Sequence, residues 1–163
     1  MKTISILNLT LLGLALALGC GSARADDKAD HLAIIVNKAS KLDDVSSGDL
    51  QRYFKAEKNK TPDGTKLIIV MQDVGRPERD AALKGIYKMG ESEYANFFVE
   101  ATFTGAVTAA PKAYPSAAVV KKFVADNPGA IAYVRGSEAD DTVKVLKVDG
   151  KSPGDADYKL KMK

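Results

Sequence analysis

Three short runs restrict this chain more than anything else in it: LAIIV (Leu32 to Val36), LIIVM (Leu67 to Met71) and AIAYV (Ala130 to Val134). Each is continuously apolar, rich in β-branched residues and bounded by polar, Gly or Pro positions. A strand with only one buried face alternates in polarity. A continuous run of this length is a strand buried on both faces, as in a parallel sheet covered by helices. The expectation is therefore that the three lie parallel in one sheet, with helices packed on its two faces.

The stretches between the runs carry helical spacing. Ser46 is suited to an N-cap with Asp49 three residues on, and Val45 and Leu50 stand where a hydrophobic staple would place them. That helix runs through Tyr53 and Phe54. Pro62-Asp63-Gly64 is a turn before the second run. Leu83, Ile86 and Tyr87 follow at helical spacing, with Gly90 as the stop. Ser92 is the expected cap of a helix in which Tyr94, Phe97, Phe98 and Ala101 match the i, i+3, i+4, i+7 pattern. The five aromatics Tyr53, Phe54, Tyr94, Phe97 and Phe98 are expected in the core. A last helix begins near Pro115, carries Val119, Val120, Phe123 and Val124, and stops at Asn127-Pro128-Gly129. VKVLKV (Val143 to Val148) reads as a strand, and Asp149-Gly150 as a turn. Tyr158, Leu160 and Met162 alternate with Lys159, Lys161 and Lys163, as in a half-exposed edge strand whose lysines guard against aggregation. The element order argues a layered α/β domain with a small β tail.

Residues 1–25 read differently. Lys2 precedes an uncharged apolar stretch from Ile4 to Leu18, too short for a bilayer span, and Ala23-Arg24-Ala25 is a small-x-small cleavage pattern. This is the pattern of a secretory signal peptide and implies a periplasmic or secreted protein, with residues 26–163 as one domain. The single cysteine, Cys20, falls inside it, in LALGC, which resembles the lipobox of bacterial lipoproteins although Ala17 stands where leucine is usual. Cleavage before Cys20 would leave a lipid-anchored protein; cleavage after Ala25 would leave a soluble one without cysteine. Neither permits an internal disulfide. Loss of Lys2 and Arg24 takes the formal charge from +3 to +1, so no strong basic field argues for a nucleic-acid partner.

In order along the chain, IIVNKASKLDDVSSGDLQRYF, DGTKLIIVMQDVGRPERDAAL, FTGAVTAAP and FVADNPGAIAYV resemble phosphate-type periplasmic substrate-binding proteins, Pro-Gly-Ala-Ile-x-Tyr-Val being the most specific match. The later turn and Tyr-x-Leu are similar to a short, single-lobe branch described as phosphate ABC transporter substrate-binding-like. The resemblance implies one three-layer lobe of a type-2 periplasmic-binding-protein fold, with a mostly parallel sheet. It implies a solute-binding-like, non-enzymatic role, a small oxyanion such as phosphate as ligand, and an ABC permease or sensor protein as partner. The chain also departs from the family. The amino-terminal half with its Gly/Ser-rich phosphate loop has no counterpart. Where phosphate binders carry an Arg-Ser-Asp-Gly-Ser-Gly-Thr-like loop, this chain has Met71-Gln72-Asp73-Val74-Gly75-Arg76-Pro77.

That last stretch is the candidate site. Pro77 suits a first helical position, and a helix start carries partial positive charge, where cations are unfavourable unless an anion joins them. Asp73, Gly75 for close approach, Arg76, Glu78 and Arg79, with free amides at Glu78 and Arg79, would together hold an oxyanion at the carboxyl end of a parallel strand. Thr104 and Gly105, in the small polar turn with Thr102, would line the same cleft. The competing reading has Asp73, Glu78 and Asp80 neutralise both arginines on a solvated face. The resemblance then implies an interaction or accessory module that kept the fold and lost the ligand. His31, the only histidine, reads as a residue of a loose terminus. Cys-His and Ser-His mechanisms lack parts, and no His/Cys cluster offers a metal site or calls for a cofactor.

Overall fold

The computed structural model describes residues 28–162. The signal segment 1–25, its cleavage point, Cys20 and Lys163 lie outside the described residues. A five-stranded sheet has the order β4-β3-β5-β1-β6, formed by β1 (Leu32–Val36), β3 (Ile68–Gln72), β4 (Lys112–Tyr114), β5 (Ala130–Arg135) and β6 (Lys144–Val145). β2 (Asp44–Val45) and β7 (Lys147–Val148) form a separate two-stranded parallel pair. The helices are α1 (Ser47–Phe54), α2 (Pro77–Ala82), which runs directly into a π-helical turn (Leu83–Tyr87), α3 (Glu91–Phe103) and α4 (Ala117–Asp126).

β4, β3 and β5 are mutually parallel, whereas β1 is antiparallel to both of its neighbours, β5 and β6. The sheet is thus mostly parallel in direction, with β1 alone reversed. The expectation that all three apolar runs lie parallel fails at Leu32–Val36. A continuous apolar run records burial on two faces and is indifferent to direction.

The two faces are packed unequally. Leu32, Ile34, Val36, Met71, Ile131 and Tyr133 point to one side, against Leu50, Tyr53 and Phe54 of α1, the π turn, and Tyr94 and Phe98 of α3. Ala33, Ile35, Val70, Ala130, Ala132 and Val134 point to the other, where α4 supplies Ala117, Val120 and Val124 and the loop before β6 adds Val143. Ser46 caps α1 by accepting from Asp49 N at 3.1 Å, and Val45 and Leu50 are both buried as the staple requires. Gly129 ends the α4–β5 turn at φ +92°, where a Cβ would stand 2.3 Å from the Lys66 carbonyl oxygen.

Several local expectations are corrected. The π turn ends at Lys88 in the left-handed conformation, two residues before Gly90. Gly90 instead begins α3, donating its N–H to the Glu93 carboxylate at 2.8 Å, so Ser92 lies inside the helix. Phe97 is only partly buried and Val119 is exposed. VKVLKV splits at buried Leu146, whose N–H is donated to Ile34 O at 2.8 Å, into β6 and β7. The tail makes one isolated bridge, His31 to Lys161, rather than a ladder. Its alternation survives, with Tyr158 and Leu160 buried and Lys159 and Lys161 exposed. The Tyr158 hydroxyl donates to Leu32 O at 2.8 Å. His31 is buried edge-on to Tyr158, which removes the loose-terminus reading.

Candidate functional site

The carboxyl ends of β3 and β5 meet the start of α2. Gln72 closes β3 in full burial; its N–H donates to the Tyr133 hydroxyl at 3.2 Å and its side-chain amide to Tyr133 O at 3.4 Å. A turn follows, with Arg76 N donating to Asp73 O at 3.3 Å and Gly75 at φ +85°. A Cβ on Gly75 would meet open space, so this glycine serves the turn's backbone angle rather than a close approach.

Arg79 is 5% exposed, and each of its three guanidinium nitrogens has a hydrogen-bond partner. Its Nε and one terminal nitrogen form a paired interaction with the Glu91 carboxylate at 2.8 and 2.7 Å. The other terminal nitrogen donates to Gln72 O at 3.0 Å, and the guanidinium lies 4.9 Å from the Tyr94 ring centre. The hydrogen bonds from Arg79 hold Glu91 below the ordinary carboxylate value, against the opposing effect of burial. The Arg79 amide, expected free for a ligand, donates to Arg76 O at 2.9 Å. The acid that neutralises Arg79 is therefore none of the three neighbours in sequence. It is Glu91, from the first turn of α3, where a carboxylate also favours the helix dipole.

Arg76 behaves differently. Its side chain is 40% exposed; Nε donates to Gln72 Oε1 at 3.4 Å and lies 3.6 Å from Glu78 Oε2. Glu78, only 3% exposed, receives Arg135 at the end of β5, whose Nε and terminal nitrogen reach Oε1 at 3.1 and 3.0 Å. Arg135 is 37% exposed. Glu78 Oε2 is buried and accepts no hydrogen bond among the described residues. Two half-exposed guanidiniums, one at the start of α2 and one at the end of β5, thus flank one buried carboxylate.

Asp73 is half-buried in the turn and Asp80 exposed. Thr104 and Gly105 are not brought to this place. Thr104 caps the far end of α3, its hydroxyl donating to Glu100 O at 2.9 Å, and Gly105 supplies a positive φ of +73° after it. Thr104 lines a concavity with Lys55, Glu57 and Phe97, and Gly105 lines another with Ile68 and Ile69. Arg135 and Glu91 escaped the sequence reading because both pairs join residues distant in the chain. Among the described residues no group of three or more His, Cys, Asp or Glu is placed to hold a metal ion. No described helix is long and apolar enough to cross a membrane.

No protein-family model and no curated protein matches the chain. Solved structures do. An ABC-type phosphate transport receptor from Vibrio cholerae aligns over 76% of this chain and 48% of its own, at TM-score 0.61 and 16% identity. A Clostridium perfringens protein assigned to phosphate ABC transport, solved with bound phosphate, aligns over 78% and 49%, at TM-score 0.62 and 21% identity. PstS from Borrelia burgdorferi aligns over 81% and 54%, at TM-score 0.61 and 14% identity. At such identities the likeness is one of fold, and the chain spans about half the length of the structures it matches.

Proposed function

We propose, from a chain that carries the fold of phosphate-type ABC transporter substrate-binding proteins over about half their length, that it is a periplasmic or secreted solute-binding-like protein. It holds a small oxyanion where Arg76 and Arg135 stand beside the Gly75 turn, and it serves an ABC permease or a sensor protein rather than catalysing a reaction. The observation that carries this reading is the pair of half-exposed guanidiniums at the carboxyl ends of β3 and β5, where ligands of open α/β sheets bind. Arg79 contributes by fixing Gln72 and the start of α2, with its own charge already answered by Glu91. The signal segment supports the location. Cys20 leaves both a lipid-anchored and a soluble product open.

One observation favours a second reading, an interaction module without a ligand. α3 carries a second apolar stripe on its outer side, with Val99 exposed and Phe103 93% exposed. A helix that is apolar on both sides is ordinarily covered on both.

Thermal melts separate the two. Wild type and Arg76→Ala are compared with and without phosphate or sulfate at constant ionic strength, because exposed charges are screened by salt. A ligand at about 100 times its Kd adds roughly 2.7 kcal/mol. The solute-binding reading expects a rise in Tm that Arg76→Ala diminishes. Melts indifferent to every oxyanion leave the module reading.

A further inference from the structure

The trio at the strand ends has a charge that restricts what it accepts. Glu78 is nine-tenths buried and bears one negative charge; Arg76 and Arg135 bear one positive charge each. Arg135 spends Nε and one terminal nitrogen on Glu78 Oε1, and Arg76 directs Nε at Gln72. A guanidinium has five N–H donors in a planar fork, so both side chains keep donors that no described residue takes. The trio's sum is +1. Two further acids lie close in the chain, Asp73 in the preceding turn and Asp80 on α2, and neither forms an ion pair among the described residues. Arg79 adds no free charge, being matched by Glu91.

We infer that this site is selective for singly charged oxyanions, that Arg135 is one of its binding residues, and that Glu78 sets the selectivity by cancelling one of the two arginine charges. This rests on the oxyanion reading given above. A monoanion brings the trio to neutrality. A dianion leaves a surplus negative charge beside the Glu78 carboxylate, whose Oε2 has no hydrogen bond to disperse it and whose burial strengthens the repulsion. Glu78 also positions the fork of Arg135, so its replacement tests charge only if the fork is kept. Glutamine keeps an acceptor oxygen for the Arg135 fork and removes the charge, while its NH2 takes the place of Oε2.

Calorimetric titration of the mature chain with nitrate, sulfate, and inorganic phosphate below and above its second ionisation tests the inference, at constant ionic strength. The wild type is expected to bind nitrate and singly charged phosphate about tenfold more tightly than sulfate. Its phosphate affinity falls as phosphate takes its second charge, a readout that requires no variant. Glu78→Gln raises the trio to +2 and is expected to reverse the order in favour of sulfate. Arg135→Gln brings it to zero and is expected to lose binding, whereas Arg135→Lys keeps the order at weaker affinity because the fork is lost. Sulfate bound as tightly as nitrate by the wild type overturns the inference. An order unchanged by Glu78→Gln does so too, while leaving the oxyanion reading in place. Absence of any anion binding removes both.

Discussion

Arg76 and Arg79 stand three residues apart, yet the fold treats them as different kinds of residue. Arg79 is sealed, with Glu91 on two of its nitrogens, a main-chain oxygen on the third and the Tyr94 ring against its plane. Arg76 joins Arg135 in sharing one buried carboxylate and stays open to solvent. The lesson lies in stoichiometry. One acid per arginine makes a structural tie between α2, β3 and α3. One acid for two arginines leaves that trio at +1 with guanidinium donors unspent, and only that arrangement has something to offer an anion.

The largest expected effect comes from breaking the sealed pair. Glu91→Ala strands a guanidinium that is 5% exposed, and urea denaturation should register a loss of about 3 kcal/mol, at the low end for a broken buried pair because Glu91 itself reaches solvent. A loss below about 0.5 kcal/mol, the range of ordinary surface changes, would show that Arg79 hydrates readily and that the two arginines do not differ as described.

Arg135→Ala should follow. It removes the one hydrogen bond that the buried Glu78 carboxylate accepts among the described residues, together with its closer ion pair, and should cost about 2 kcal/mol, as for hydrogen bonds to a charged group. Arg135→Lys should recover part of this, since a point charge still reaches the carboxylate without the fork. If Ala and Lys are equally harmful in chemical denaturation, the effect is one of shape, not charge.

The acid limb of the stability curve sharpens the contrast further. Glu91 is held below its ordinary value of 4.5 by Arg79. A carboxylate depressed in the folded state contributes stability that is present above the unfolded value and disappears as pH falls through the folded one. The gap in urea midpoint between wild type and Glu91→Gln should therefore be constant near neutral pH and close progressively below pH 4.5. A gap that persists unchanged into strong acid would assign the loss to packing. The smallest effect belongs to Arg76→Ala: 40% exposed and linked to Glu78 at 3.6 Å, it should cost less than about 1 kcal/mol in water without added anions. A larger cost would mean that Arg76 is as structural as Arg79.

Much of the layered architecture is legible along the chain. The three apolar runs are strands within a residue of their expected limits. Ser46 and the Val45–Leu50 staple start α1 as their chemistry requires, and Asp149 and Gly150 both take the positive φ their turn needs. These succeed because burial on two faces, helix capping and backbone permissiveness are local properties, written into residues a few positions apart. The α3 stripe was legible in kind but not in degree: Tyr94, Phe98 and Ala101 are buried, while Phe97 stays at the margin. A helical period gives the direction of a side chain, and the depth depends on what lies opposite.

The site divides along the same line. From the sequence by itself came the position that matters, a turn ending a buried strand, a proline-started helix and two arginines beside acids. Tertiary structure alone decided which acid answers which arginine, that β1 runs against its neighbours, and that Thr104 and Gly105 belong elsewhere. The physical reason is that charge pairing and strand direction depend on distance in space. Glu78 meets Arg135 across 57 residues and Arg79 meets Glu91 across 12, separations at which composition and periodicity carry no record of who touches whom.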